Sequence, residues 1–204
     1  QTIEEVIRNR FIVDEGDPLN ELLFNKSIDR VRSLGIFKKV ETKVYDGSNE
    51  NLKIVDLIVE EQPTGEISLA AGVGTSGSTI GGGITEKNFL GKGINLRADL
   101  SISEEKVKGQ FVYSKPNFNY SDNTLFTSVR STTTDRKKDF GYESNDFGFS
   151  FGTKFEQYEN LFFSPEIDLS VEELKTDSTA TASMKKQAGN YEDFYFNYGL
   201  DYDL

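Results

Sequence analysis

Cysteine, histidine and tryptophan are all missing from this 204-residue sequence. Without cysteine there is no disulfide, no thiolate metal site and no cysteine nucleophile. Without histidine there is no imidazole general base, no serine–histidine triad and almost no zinc chemistry. Cations are scarce: 23 Lys and Arg face 34 Asp and Glu, for a net charge of −11. That argues against a nucleic-acid partner, because binding phosphates needs clustered cations. No run approaches the roughly 18 to 20 apolar residues of a transmembrane helix, and no signal-peptide pattern precedes the first helix. A transmembrane strand, however, needs only about 9 to 11 residues with apolar side chains at every second position. The mean hydropathy of −0.50 suits such strands as well as a soluble protein. No metal, cofactor or enzymatic role is expected.

The first third reads as a small α/β unit. Thr2 with Glu5 has capping-box spacing, and Ile3, Val6, Ile7 and Phe11 follow a helical stripe that Gly16 ends. Asp17-Pro18 predicts a second helix, with the aspartate as cap and Leu23, Phe24, Ile28, Val31 and Leu34 as its buried face. Gly35 stands where a left-handed helix end is expected. Two strands follow, 37–45 and 52–60, joined by the turn Asp46-Gly47-Ser48-Asn49. Two strands make a marginal sheet, so a further strand upstream of Gln1 is expected. The last residues, Tyr202-Asp203-Leu204, stop inside a strand pattern. Both ends look cut.

From Pro63 onward the period is two. Ile67, Leu69, Ala71 and Val73 alternate with Glu66, Ser68, Ala70 and Gly72. Strands through Ser78 to Ile84, Ile94 to Ile102, Val107 to Tyr113 and Leu125 to Thr133 come next. Phe147, Phe149 and Phe151 then alternate with Gly148, Ser150 and Gly152, Ile167, Leu169 and Val171 with Asp168 and Ser170, and Phe194 to Tyr202 with Asp193 to Asp201. About eight strands result. Alternation alone fits a soluble β-sandwich as well as a membrane barrel. Short connections at Glu104-Glu105, 119–123 and 157–160, set against longer ones at 136–145 and 175–190, suggest the two unequal rims of a barrel. Tyr113, Phe118, Tyr120, Tyr142, Tyr158 and Tyr191 fall near strand ends, where an interfacial aromatic girdle is expected.

Other motifs carry less chemistry. The glycine-rich stretch 72–83 lacks the Gly-Lys-Ser/Thr of a phosphate loop, and Gly91-Lys92 runs into Gly93. The pairs Glu60-Glu61, Glu104-Glu105 and Glu172-Glu173 point to opposite faces of a strand and converge poorly on one ligand. Arg97 and Arg130 are expected on the polar face, paired with Asp99 or other acidic neighbours.

Three segments in order resemble the BamA family of outer-membrane assembly factors, in the bacterial surface antigen superfamily. Residues 32–40, Arg-Ser-Leu-Gly-Ile-Phe-Lys-Lys-Val, resemble the helix-to-strand joint of a POTRA domain. Residues 59–65, Val-Glu-Glu-Gln-Pro-Thr-Gly, resemble the passage from the last POTRA strand into the barrel. Residues 88–93, Asn-Phe-Leu-Gly-Lys-Gly, resemble the turn into the third barrel strand, and Lys115-Pro116-Asn117-Phe118 the next turn. The resemblance implies a C-terminal POTRA domain at 1–62, with α+β fold, followed at 63–204 by the first half of an antiparallel transmembrane barrel. It implies insertion of unfolded outer-membrane β-barrel clients, outer-membrane lipid around the barrel, accessory lipoproteins as partners, and a POTRA part in the periplasm. The alternatives are a TamA-like factor or a two-partner secretion transporter of the same superfamily, and a closed eight-stranded barrel of other function. For the assembly role, the first barrel strand is the expected template for client strands: Gly65, Glu66, Ile67, Ser68, Leu69, Ala70, Ala71 and Gly72. Its small residues on one side predict weak pairing and an openable seam.

Overall fold

The computed structural model describes residues 1–49, 52–74 and 77–203, the side chain of Tyr120 excepted. Leu204 and, in the glycine-rich stretch, Thr75 and Ser76 lie outside the described residues, as does the girdle role expected of Tyr120. The chain divides into two compact units, residues 1–65 with 87–94 and residues 66–86 with 95–204.

The first unit holds helices α1 (Glu4–Arg8) and α2 (Glu21–Ser33) and the antiparallel strands β1 (Phe37–Asp46) and β2 (Lys53–Glu61). Val31, Ile36 and Phe37 form its core, with Val6, Ile7, Phe11, Leu34, Val40 and Val59 packed around them. Gly35 takes a positive φ of 65° just beyond α2, as its position requires. Both helix starts differ from expectation. Asn20, not Asp17, caps α2, its side chain accepting from the N–H groups of Leu22 and Leu23 at 3.0 and 3.2 Å. Asp17 is used one turn earlier, accepting from the Asp14 N–H. No capping box forms at α1, because Thr2 is engaged elsewhere: its N–H donates to the Glu61 carboxylate and its Oγ1 accepts from Asn88 Nδ2 at 2.7 Å.

The turn 87–94, which groups with this unit, is built by its own sequence. Leu90, Gly91 and Gly93 all have positive φ, and Asn88 Oδ1 closes the turn by accepting from the Gly93 N–H at 2.8 Å. Ile3 N–H donates to the Gly91 carbonyl at 2.9 Å.

The second unit is one sheet of eight strands in sequence order: β3 (Gly65–Gly74), β4 (Gly77–Phe89), β5 (Ile94–Ser103), β6 (Lys106–Lys115), β7 (Thr124–Arg136), β8 (Tyr142–Tyr158), β9 (Leu161–Thr176) and β10 (Gly189–Tyr202). Strand existence and order match the period-two reading. Single-turn helices α3 (Lys137–Phe140) and α4 (Ala182–Gln187) lie in the connections β7–β8 and β9–β10.

Cross-strand rows sort the side chains. Ala98, Phe111, Val129, Phe149, Leu169 and Phe194 form one row; Asp99, Gln110, Arg130, Gly148, Ser170 and Asp193 form the next, on the other face. Burial is inverted relative to a water-soluble sheet. On β8 and β9 the small and polar set Gly148, Ser150, Gly152, Asp168 and Ser170 is buried, Ser150 to 2 % exposure. Phe147, Phe149, Phe151, Ile167, Leu169 and Val171 are exposed, Phe149 at 42 %. A continuous apolar surface of this kind marks a face covered by a partner or by a membrane, and a barrel with lipid outside and a polar interior has this pattern.

Two expectations about the rims fail. Antiparallel order puts the 104–105 connection on the same rim as 137–141 and 177–188, so the lengths do not separate cleanly. Tyr142 shares the parity of Gly148, and Tyr191 stands opposite Glu172, which shares that of Asp168, placing both on the polar face. Tyr142 packs against Phe140, ring centroids 6.4 Å apart, and the Tyr191 hydroxyl donates to the Gln187 carbonyl. A ring contact at the rim holds Tyr142 and a hydrogen bond holds Tyr191.

Candidate strand-pairing edge

β3 stands at one end of the sheet and β10 at the other, and the sheet does not close. Among the described residues β3 pairs on one side only, with β4. Antiparallel pairing turns alternate residues toward opposite sides. About half of the residues from Gly65 to Gly74, roughly five, therefore direct both N–H and C=O away from β4. Left unpaired in hydrocarbon at several kcal/mol per group, that edge would cost tens of kcal/mol.

The side chains loosen the pairing further. Ile67, Leu69 and Val73 are exposed on the apolar face, Leu69 at 87 %. Ser68, Ala70 and Gly72 offer almost no bulk on the other face. Behind them β4 carries Gly81, Gly82 and Gly83, where β3 and β5 close in. A Cβ at Gly82 would stand 3.0 Å from Leu69 Cδ2, and one at Gly83 2.6 Å from Asp99 Oδ1. The Ser68 hydroxyl makes only a long contact, 3.4 Å, to the Gly83 carbonyl. β3 is held chiefly by backbone bonds, with little side-chain interlocking to fix its register. The expected site residues from Gly65 to Gly72 all lie in this one strand, on both of its faces.

The polar face next to β3 opens on a shallow cavity of about 350 Å³, lined by Ser68, Ala70, Gly82, Arg97, Asp99 and Gln110 among others. Arg97 pairs with Asp99 through two hydrogen bonds of 2.7 and 3.1 Å, as its neighbour predicts. Arg130 pairs with Asp168 by both terminal nitrogens and lies 3.5 Å from Asp146. The glycine wall 81–83 lies in the glycine-rich stretch that the sequence already marks, and three consecutive glycines inside a strand pattern signal the close approach of its neighbours. Among the described residues no group of three acidic side chains is placed to hold a metal.

The Omp85 superfamily domain matches residues 88–204, more than half of the chain. A protein of Treponema pallidum (strain Nichols), described as a candidate outer membrane protein assembly factor, is 31 % identical over 119 residues, 54 % of this chain and 14 % of that protein. The outer membrane protein assembly factor BamA of Neisseria meningitidis serogroup B is 25 % identical over 140 residues, 68 % of this chain and 18 % of that one. In fold, the chain aligns over its full length with BamA from Haemophilus ducreyi lacking POTRA domains 1–3, at TM-score 0.82 and 22 % identity. It aligns with CdiB from Acinetobacter baumannii at TM-score 0.59 and 11 % identity. The chain thus spans less than a fifth of these curated relatives and about two fifths of the solved structures. With its unclosed eight-stranded sheet and its matched residues from Asn88 onward, the chain belongs to the Omp85 superfamily.

Proposed function

We propose that this chain is part of an outer-membrane protein assembly factor of the BamA type, in which β3 serves as the template for client strands. The observation that carries the reading is the thin side chains of β3 and the glycines of β4 behind them, which leave this strand little side-chain interlocking. An incoming strand adds to the edge of β3 by β-augmentation, so its amides are paired before they meet hydrocarbon. A loosely registered template accepts clients of different sequence and releases them. In this reading the first unit, residues 1–62 in the main, is a POTRA domain in the periplasm, and residues 63–204 begin a barrel in the bacterial outer membrane. The full-length alignment with a BamA structure described as lacking POTRA domains 1–3 supports that assignment. The clients are unfolded outer-membrane barrels, and accessory lipoproteins are expected partners of the whole protein. The role is non-enzymatic and calls for none of the histidine or cysteine chemistry that this sequence lacks.

The test uses the full-length protein with Ser68→Cys on β3 and a second cysteine on its closing strand. Under oxidising conditions client insertion into vesicles is expected to stop, and to resume on reduction. Continued insertion with the seam demonstrably locked overturns the template. A transporter of the same superfamily, TamA-like or of the two-partner secretion kind, is the second reading, which the CdiB fold likeness favours. Depleting the protein in cells separates the two. Broad loss of barrel proteins supports the assembly role, and loss of a single exported protein supports transport.

A further inference from the structure

β7 and β8 pair over 13 positions, yet their apolar face says little about which residue should stand opposite which. Phe147, Phe149 and Phe151 repeat every second residue beside Val129, so sliding β8 by two keeps every phenylalanine outward and every small residue inward. Hydrophobic patterning discriminates strongly against a slip of one and hardly at all against a slip of two. Something else has to select the register.

The polar face supplies it. Arg130 stands directly opposite Gly148, and Phe126 directly opposite Gly152. Both side chains lie flat across those glycines toward β9. A Cβ on Gly148 would meet Arg130 Nη1 at 2.6 Å; one on Gly152 would meet Phe126 Cε2 at 2.7 Å and the Pro165 carbonyl oxygen at 2.8 Å. Passing over Gly148, the guanidinium reaches Asp168, Nη2 to Oδ1 at 3.0 Å. Its Nε lies 3.5 Å from Asp146 Oδ1. Beside it Ser128 and Ser150 share a hydrogen bond of 2.8 Å between their hydroxyls.

The spacing is matched. The two large side chains are four residues apart on β7, and the two glycines are four residues apart on β8. A slip of two in one direction puts Ser150 under Arg130 and Lys154 under Phe126; in the other, Asp146 and Ser150 take those places. A slip of four satisfies one side chain and blocks the other with Glu156 or Ser144. Only the observed register clears both. We propose that Phe126 and Arg130 on β7, with Gly152 and Gly148 on β8, form a two-point register lock that fixes the stagger of β7, β8 and β9. Because strand stagger sets a barrel's tilt and radius, the lock bears on the geometry of the whole wall. It rests on the observed pairing and stands whether or not β3 is a client template.

The absence of native cysteine among these residues makes disulfide trapping a direct test. In the full-length protein assembled in outer membranes, the pairs Val129→Cys with Phe149→Cys, with Phe151→Cys and with Phe147→Cys report the native register and the two slips of two. Trypsin separates the partners, so linked peptides are counted by mass spectrometry. In the otherwise unaltered protein the 129–149 link should exceed each slipped link by roughly tenfold or more, the scale of a charge-assisted hydrogen bond. Adding Phe126→Ala and Arg130→Ala introduces no clash, and the excess should fall to about threefold or less, one neutral cross-strand pair's worth. Moving both glycines two places, with Gly148→Ser, Ser150→Gly, Gly152→Ser and Lys154→Gly, should make 129–151 the dominant link. Retention of the parent ratio in Phe126→Ala/Arg130→Ala, with heat-modifiable gel mobility showing a folded barrel, overturns the lock. That variant decides the matter even where the moved-glycine chain does not assemble.

Discussion

Phe149 gives the sharpest measure of the lipid-facing surface. It projects from the middle of β8, in a row with Val129 and Leu169, and is 42 % exposed in the chain alone. Taking about 200 Å² for a phenylalanine side chain, the exposed part is roughly 85 Å². At about 25 cal/mol per Å², its contact with lipid contributes about 2 kcal/mol. Phe149→Arg forfeits that contact and adds the cost of a cation near the bilayer midplane, about 2 to 4 kcal/mol. The total is about 4 to 6 kcal/mol. Gln110→Arg, on the opposite face one row away, meets a polar interior and should cost under about 1 kcal/mol. The assay is reversible guanidinium unfolding of the full-length protein from phospholipid vesicles, comparing midpoints at constant slope. A Phe149→Arg variant as stable as the parent, with Gln110→Arg the damaged one, would mean the faces have been assigned the wrong way round.

Three further outcomes follow from the geometry. Arg130→Ala strands Asp168, whose side chain is only 12 % exposed, and should cost about 3 kcal/mol, whereas Arg97→Ala breaks an open pair and should cost less than about 1 kcal/mol, both by the same unfolding assay. Asn20→Ala removes the cap of α2; a loss of about 1 kcal/mol appears as roughly fivefold faster amide exchange at Leu22 and Leu23. Hydrogen bonds from Thr2, its side chain first and its N–H second, hold the Glu61 carboxyl below the usual carboxylate range. A depressed folded-state pKa stabilises above the unfolded value, near 4.3, and that contribution fades as pH drops through the folded value. The protection factor of the Thr2 amide, its exchange rate relative to the intrinsic rate at each pH, should fall on acidification, and Glu61→Gln should make it independent of pH in that range; a variant whose protection still falls would show another group to be responsible.

The strands were legible in the sequence because a sheet with one apolar and one polar face imposes period two on every strand. β3 could even be bounded from Gly65 onward by the Pro63-Thr64 break and the run of small residues. Ambiguity entered where two residues could do one job. Asp17 and Asn20 both qualify as caps, and Asn20 takes the role because Asp17 closes the preceding turn. Thr2 and Glu5 have the right spacing for a capping box, but partners 59 and 86 residues away in sequence claim Thr2 first. Tyr142 and Tyr191 were misassigned because nearness to a strand end says nothing about which face a ring takes. The meaning of Gly148 and Gly152 was hidden for a different reason. It lies in Arg130 and Phe126 on a neighbouring strand, and local pattern does not record what leans across from there.

The alternation of phenylalanine with glycine and serine on β8 has a mechanical consequence. One surface of the ribbon carries large rings and the other carries a hydrogen atom or a hydroxymethyl group, so the two surfaces demand unequal widths. A ribbon so loaded bends toward its thinner side, as a strip of two metals curls when one expands more. The small inner side chains of β8 leave room on the polar side for the wall to curve, as the concave side of a barrel requires.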